Sequence, residues 1–261
     1  MIAIDNNSYR SKGFNSRKGS QVRFLVMHYT ASNFLASVSA LTGQSVSVHY
    51  LVPNPVDPTY ISTRFKELKI FNLVDEKERA WHAGVSAWEN HTNLNNSTIG
   101  IEIVNEASEI RGVFTFLPYN DAQIEAVKQL ALSILQRYPD ISPTHVVGHS
   151  DISLGRKSDP GATFPWFKLY EAGIGAWHDA TTKCQYIDQY RKTSPSKETT
   201  LALFKKYGYN VSQATTPEGF KALVRAFQLH FRPYNYDGVM DIETSAILAA
   251  LVEKYFPQPR D

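Results

Sequence analysis

Between Val22 and Met27 the chain reads Val-Arg-Phe-Leu-Val-Met, a β-rich and nearly continuous apolar run that ends directly before His28. A short run of this kind is buried on both faces, so it demands a central sheet with other elements layered on either side. Ser47 to Val52 reads as a second strand, ended by Pro53 and Pro55, and Ile70 to Val74 as a third. Ser97 to Val104 is a strand that carries Glu102 inside its apolar run, and His145 to Gly148 is a short last strand that ends at His149. Leu35 to Thr42 fits a short helix, and Asp57 to Lys69 reads as a variable loop. The clearest helix covers Asn120 to Tyr138. Asn120 or Asp121 caps it, Ile124, Val127, Leu130 and Ile134 lie on its apolar stripe, and Pro139 and Pro143 follow as breakers. Strands and helices mix without strict alternation, which predicts an α/β (α+β) fold with a mixed central β-sheet flanked by helices.

The composition changes after about Trp177. Thr181 to Ser196 is polar, with Lys183, Lys192 and Pro195, and reads as a connecting segment. Three helical patterns follow. The first covers Ser196 to Tyr207 and stops at Gly208. The second covers Thr216 to Phe231, with Thr216 as cap and Pro217 at the first helical position, and the third covers Glu243 to Tyr255. The expected organisation is a large domain over residues 1–180, a linker over 181–195 and a small three-helix domain over 196–261.

Whole-chain numbers serve mainly to exclude. A formal charge of +2 gives no basis for nucleic-acid binding, which needs a clustered basic face. One cysteine, Cys184, rules out an intramolecular disulfide and a multi-cysteine metal site. No apolar run approaches the ~18 residues of a transmembrane segment. Met1 to Ser20 is polar and lacks the apolar core of a secretory signal.

The residues that carry chemistry sit at strand ends. A catalytic zinc site takes about three protein ligands and keeps one position open. His28 follows the first strand, His149 follows the last, and Asp159 lies ten residues later in Lys157-Ser158-Asp159-Pro160-Gly161. Glu102 is either a solvent-facing residue of an alternating strand or a general base raised by a desolvated site. Lys157 is either a solvated loop lysine or a cation that stabilises an oxyanion. Trp81 and His82 either line a cleft for a sugar ring or pack the domain, and His49 reads as structural.

Six short motifs occur in a familiar order: His28-Tyr29-Thr30, Ser47-Val48-His49-Tyr50, Ala80-Trp81-His82-Ala83-Gly84, Ile99-Gly100-Ile101-Glu102, His149-Ser150-Asp151 and Lys157-Ser158-Asp159-Pro160-Gly161. Together they resemble bacterial zinc amidases of the AmpD and AmiD type, which share a fold with peptidoglycan-recognition proteins. The resemblance covers about residues 5 to 178. It implies that the chain is an N-acetylmuramoyl-L-alanine amidase, cutting the lactyl–L-alanine amide of peptidoglycan. It implies Zn2+ bound by His28, His149 and Asp159, with Glu102 activating water and Lys157 steadying the tetrahedral intermediate. Some phage relatives place a tyrosine before the histidine that His49 matches. Val48 stands there in this chain, so the base must be Glu102. Residues Val224 to Pro233, with Asp237, Gly238 and Thr244, resemble the helical wall-binding modules of AmiD-like enzymes, although Asp241 replaces a usual glycine.

The resemblance implies a periplasmic or envelope location in a Gram-negative bacterium. The cytoplasm is the alternative. Competing roles are a non-catalytic peptidoglycan-binding protein, an amidase that recycles anhydro-muropeptides in the cytoplasm, and a secreted antibacterial effector with an immunity partner. The complete ligand set favours an enzyme, and the two-part build favours polymeric wall.

Overall fold

A computed structural model of the chain describes residues 3–257. At its centre is a six-stranded sheet. Its strands in chain order are β1 (Ala3–Asp5), β2 (Phe24–Tyr29), β3 (Tyr50–Val52), β4 (Lys69–Asn72), β5 (Thr98–Ile103) and β6 (Val146–Gly148). The spatial order is β1-β4-β3-β5-β2-β6. Strands β3, β5, β2 and β6 run parallel. Strand β4 is antiparallel to β3 and parallel to β1, so the sheet is mixed as the sequence predicts.

Alternation along the strands divides the core. Leu25 and Met27 of β2 and Ile99, Ile101 and Ile103 of β5 face helix α3 (Asp121–Arg137), where Ile124, Val127, Leu130 and Ile134 meet them. Asn120 caps α3 by accepting from the Ala122 N–H. The opposite face is shared. Near β3 and β4 it is covered by α1 (Phe34–Leu41) and α2 (Pro58–Ser62) through Phe34, Val38 and Tyr60. Under β2 and β6, Phe24, Val26 and Val147 join one continuous core with residues of the C-terminal helices.

Helix α2 lies in the stretch read as a loop. Asp57 and Pro58 start it, and Asp57 also accepts from the Phe34 N–H, so one carboxylate joins two helices. The expected strand from Ser47 is regular only from Tyr50, and His49 just before it accepts from the Gly100 N–H. Helices α4 (His149–Ile152) and α5 (Trp166–Glu171) flank the loop that carries Asp159.

The segment read as a linker is helical. Helix α6 (Ala180–Lys192) precedes α7 (Lys197–Tyr207), α8 (Pro217–Phe231) and α9 (Ile242–Tyr255). Its polar composition hides Tyr190, which packs with Ala246 and Ala249 of α9. Asp241 caps α9 and pairs with Arg232 at 2.8 Å, so the aspartate both starts the helix and holds an arginine of the preceding turn. No helix among the described residues is long and apolar enough to cross a membrane.

Candidate active site

The parallel strands deliver their C-terminal ends to one cleft, the usual position for a site on such a sheet. His28 and Glu102 are register partners on β2 and β5, so their side chains leave the same face side by side. His149 follows β6, whose Gly148 is registered with Met27. The Lys157–Gly161 loop brings Asp159 back over β6, where the proline ring leaves no room for a Cβ on Gly148.

Three donor atoms converge. His28 Nδ1 lies 2.9 Å from Asp159 Oδ2 and 3.1 Å from His149 Nδ1, and His149 Nδ1 lies 3.0 Å from the same carboxylate oxygen. Among the described residues they form a buried cluster of metal-binding type. A tetrahedral ion with bonds of about 2.0–2.1 Å places its donors roughly 3.3 Å apart, so the spacing suits one small cation.

The far sides of both imidazoles are committed. His149 Nε2 donates to the Ala83 carbonyl at 3.0 Å. His28 Nε2 meets His82 Nδ1 at 2.9 Å, and His82 Nε2 meets Thr98 Oγ1 at 3.0 Å. A proton on each Nε2 leaves each Nδ1 lone pair directed at the cluster, as metal-binding histidines require. Burial, with the neighbouring His149, lowers the His28 pKa to about 4, which keeps its ring neutral. Burial opposes ionisation of Asp159, but the two histidines outweigh it and hold the carboxyl well below its ordinary range.

Glu102 enters the cleft beside this cluster. Its Oε2 is buried and has no hydrogen-bond partner among the described residues. Burial first, and the Asp159 charge second, push its pKa well above the ordinary carboxyl value, with Lys157 opposing. Lys157 is exposed at the cleft mouth. The cleft has a volume of about 390 Å³, within the range of small-molecule sites, and Tyr29, Leu41 and Trp81 form part of its wall. Trp81 is fixed by its indole N–H donating to Asn15 Oδ1 at 2.8 Å.

His82 borders the cleft, and both its ring nitrogens are engaged, with His28 and with Thr98, so it orients a donor imidazole. Gly100 makes this possible, since a Cβ there would lie 2.6 Å from the His82 ring. Sequence reasoning also missed Arg156, whose Nη2 donates to the carbonyls of Ala83 and Val85 and so fixes the loop that holds His149. It missed Tyr119, which donates to the Pro160 carbonyl at 2.8 Å. Neither position carries a sequence signal beyond its residue type.

A family described as N-acetylmuramoyl-L-alanine amidase matches residues 18–162 by its sequence model. The chain belongs to this family. The match spans His28, Glu102, His149, Lys157 and Asp159, so the whole cluster lies inside it. The amidase is 45% identical over 237 residues to N-acetylmuramoyl-L-alanine amidase AmiD of Escherichia coli K12, covering 90% of this chain and 84% of that one. Its fold matches AMPDH3 from Pseudomonas aeruginosa in complex with anhydromuramic pentapeptide, with a TM-score of 0.88, 55% identity and coverage of 98% and 99%. It also matches E. coli AmiD in complex with anhydro-N-acetylmuramic acid-L-Ala-D-γ-Glu-L-Lys, with a TM-score of 0.81, 40% identity and 98% of each chain covered. The family and fold that the six motifs imply are those found.

Proposed function

We propose that this amidase hydrolyses the amide between the lactyl group of N-acetylmuramic acid and the L-alanine of the stem peptide, using one zinc ion held by His28, His149 and Asp159. The observation that carries the reading is the convergence of three donor atoms beside a carboxyl with a free, buried oxygen. The substrate class follows from relatives matched over nearly their full length, which were solved with anhydro-muropeptides.

Zinc, when bound, supplies a Lewis acid that polarises the amide carbonyl and acidifies water. Glu102 Oε2 accepts the proton of the attacking water. The raised pKa of the group then lets it return that proton to the departing L-alanine nitrogen, so one residue acts as base and as acid. Lys157 offers positive charge at the cleft mouth to the oxyanion. Trp81 presents a ring face to the muramic acid, and His82 and Ala83 keep the ligand imidazoles in the correct tautomer. Helices α7–α9 form the C-terminal domain in this reading, with α6 assigned to it as well.

We place the action in the cell envelope, because the AmiD match includes the helical C-terminal part while the AmpD matches cover only 38–39% of the chain. Recovery of the native protein solely from cytosolic fractions would contradict that placement.

Mass spectrometry of digested sacculi and anhydro-muropeptides tests the reaction. Intact stem peptides that begin at L-alanine should appear, vanish with a chelator and return with zinc. Zinc-loaded protein that leaves both substrates unchanged would refute the reading.

A further inference from the structure

The motif His149-Ser150-Asp151 contains a second conspicuous acid that the proposed chemistry does not use. Asp151 is 1% exposed, and both its oxygens are occupied. Oδ2 accepts from the Gly148 N–H at 2.7 Å and from His230 Nδ1 at 2.7 Å, and Oδ1 accepts from the Tyr209 hydroxyl at 2.6 Å. Two of the three donors therefore come from the C-terminal helical part, 58 and 79 residues away in sequence.

These donors are themselves fixed. The His230 ring stacks on Trp166 with centroids 3.8 Å apart. Tyr209 packs edge-on against Trp88 at 4.7 Å. Gly208 lies so close to Trp88 that a Cβ would approach it to 2.5 Å, and the Gly208 carbonyl accepts from the Glu89 N–H at 2.6 Å.

The consequence falls on His149. On one side of it the Gly148 N–H is held by Asp151, and on the other the Ser150 N–H donates to the Asp159 carbonyl at 2.9 Å. The backbone around one metal donor is thus bound to the other donor's loop and to a carboxylate held by the C-terminal helices. We infer that Asp151 is a positioning residue through which Tyr209 and His230 hold His149 for the metal, so the C-terminal helices set zinc affinity. The inference rests on the metal reading above. If the donors are removed, a buried carboxylate loses its partners, which is costly enough to turn it or draw in water. The Gly148–His149 turn then loses its anchor.

The test measures zinc affinity in full-length variants by competition with a chelating dye. Loss of a group behind a metal ligand typically weakens affinity about 10- to 100-fold. Tyr209→Phe keeps the ring and, acting through Asp151, should raise the zinc Kd up to ~10-fold, the low end of that range. Asp151→Asn, which turns an amide N–H against donors, should raise it further. Leu248→Ala, in the same core but without a polar group to bond Asp151, controls for lost stability and should leave the Kd near the wild-type value. The visible spectrum of the cobalt-substituted protein should change in Tyr209→Phe and not in Leu248→Ala. Zinc Kd values for Tyr209→Phe and Asp151→Asn that match wild type would overturn the clamp. If wild type itself takes up no zinc, the metal reading fails first.

Discussion

At the scale of single residues, burial keeps the inner histidines His28 and His49 neutral. His49 is fully buried between the Gly100 N–H, which donates to its Nδ1 at 3.0 Å, and the Arg17 guanidinium near its Nε2. Burial, and then the Arg17 charge, lower its pKa to about 3. The fold therefore favours the neutral ring. This contribution is complete above the ordinary histidine pKa of about 6.5 and is lost as the pH falls toward 3. Within that window each such group costs about 1.4 kcal/mol of stability per pH unit. In metal-free protein, urea unfolding at pH 7.5, 5.5 and 4.5 should show a steady loss, with a shallower slope in His49→Gln. Equal slopes in both proteins would mean that His49 is not held neutral.

At the scale of elements, strand β5 shows what the sequence makes legible. Its apolar residues Ile99, Ile101 and Ile103 form the buried face that the pattern predicts. The alternate set, Thr98, Gly100 and Glu102, turns out to be the floor of the site: Thr98 bonds His82, Gly100 makes room for its ring and Glu102 faces the cleft. That division follows from the period of a strand, but the partners of each residue come from elsewhere in the chain. The sequence leaves His82 open between cleft and packing for this reason, since a histidine in a turn-rich stretch carries no mark of what lies behind it. Gly100→Ala should push the His82 ring away, cost about 1–3 kcal/mol and weaken metal binding, as read by thermal unfolding with and without zinc. An unchanged unfolding midpoint and zinc response would show that the ring is not wedged there. Helix α6 was illegible for a different reason. Its exposed side is polar, and its single buried aromatic, Tyr190, gives no periodic stripe.

At the scale of the molecule, the C-terminal helices share a core with one face of the sheet. Phe24, Val26 and Val147 of the sheet share one core with Phe204, Phe227 and Leu248 of the helices. Lys254 adds contacts across the junction, donating to Asp179 at 2.6 Å and to the Tyr170 hydroxyl at 2.9 Å. Sequence reading predicts two domains and a linker, because composition marks the boundary and cannot show the shared core. Calorimetry of the metal-free protein should therefore give one transition, with calorimetric and van't Hoff enthalpies in agreement. Two separated transitions would show independent units.

In the proposed reaction Glu102 moves the proton while His28, His149 and Asp159 hold the metal. Turnover of a defined anhydro-muropeptide by Glu102→Gln, with metal content measured on the same sample, decides the matter. The expected result is one zinc per chain, as in wild type, and a fall in kcat of about 10²- to 10⁴-fold. Zinc-loaded Glu102→Gln that turns over within about tenfold of wild type would contradict it.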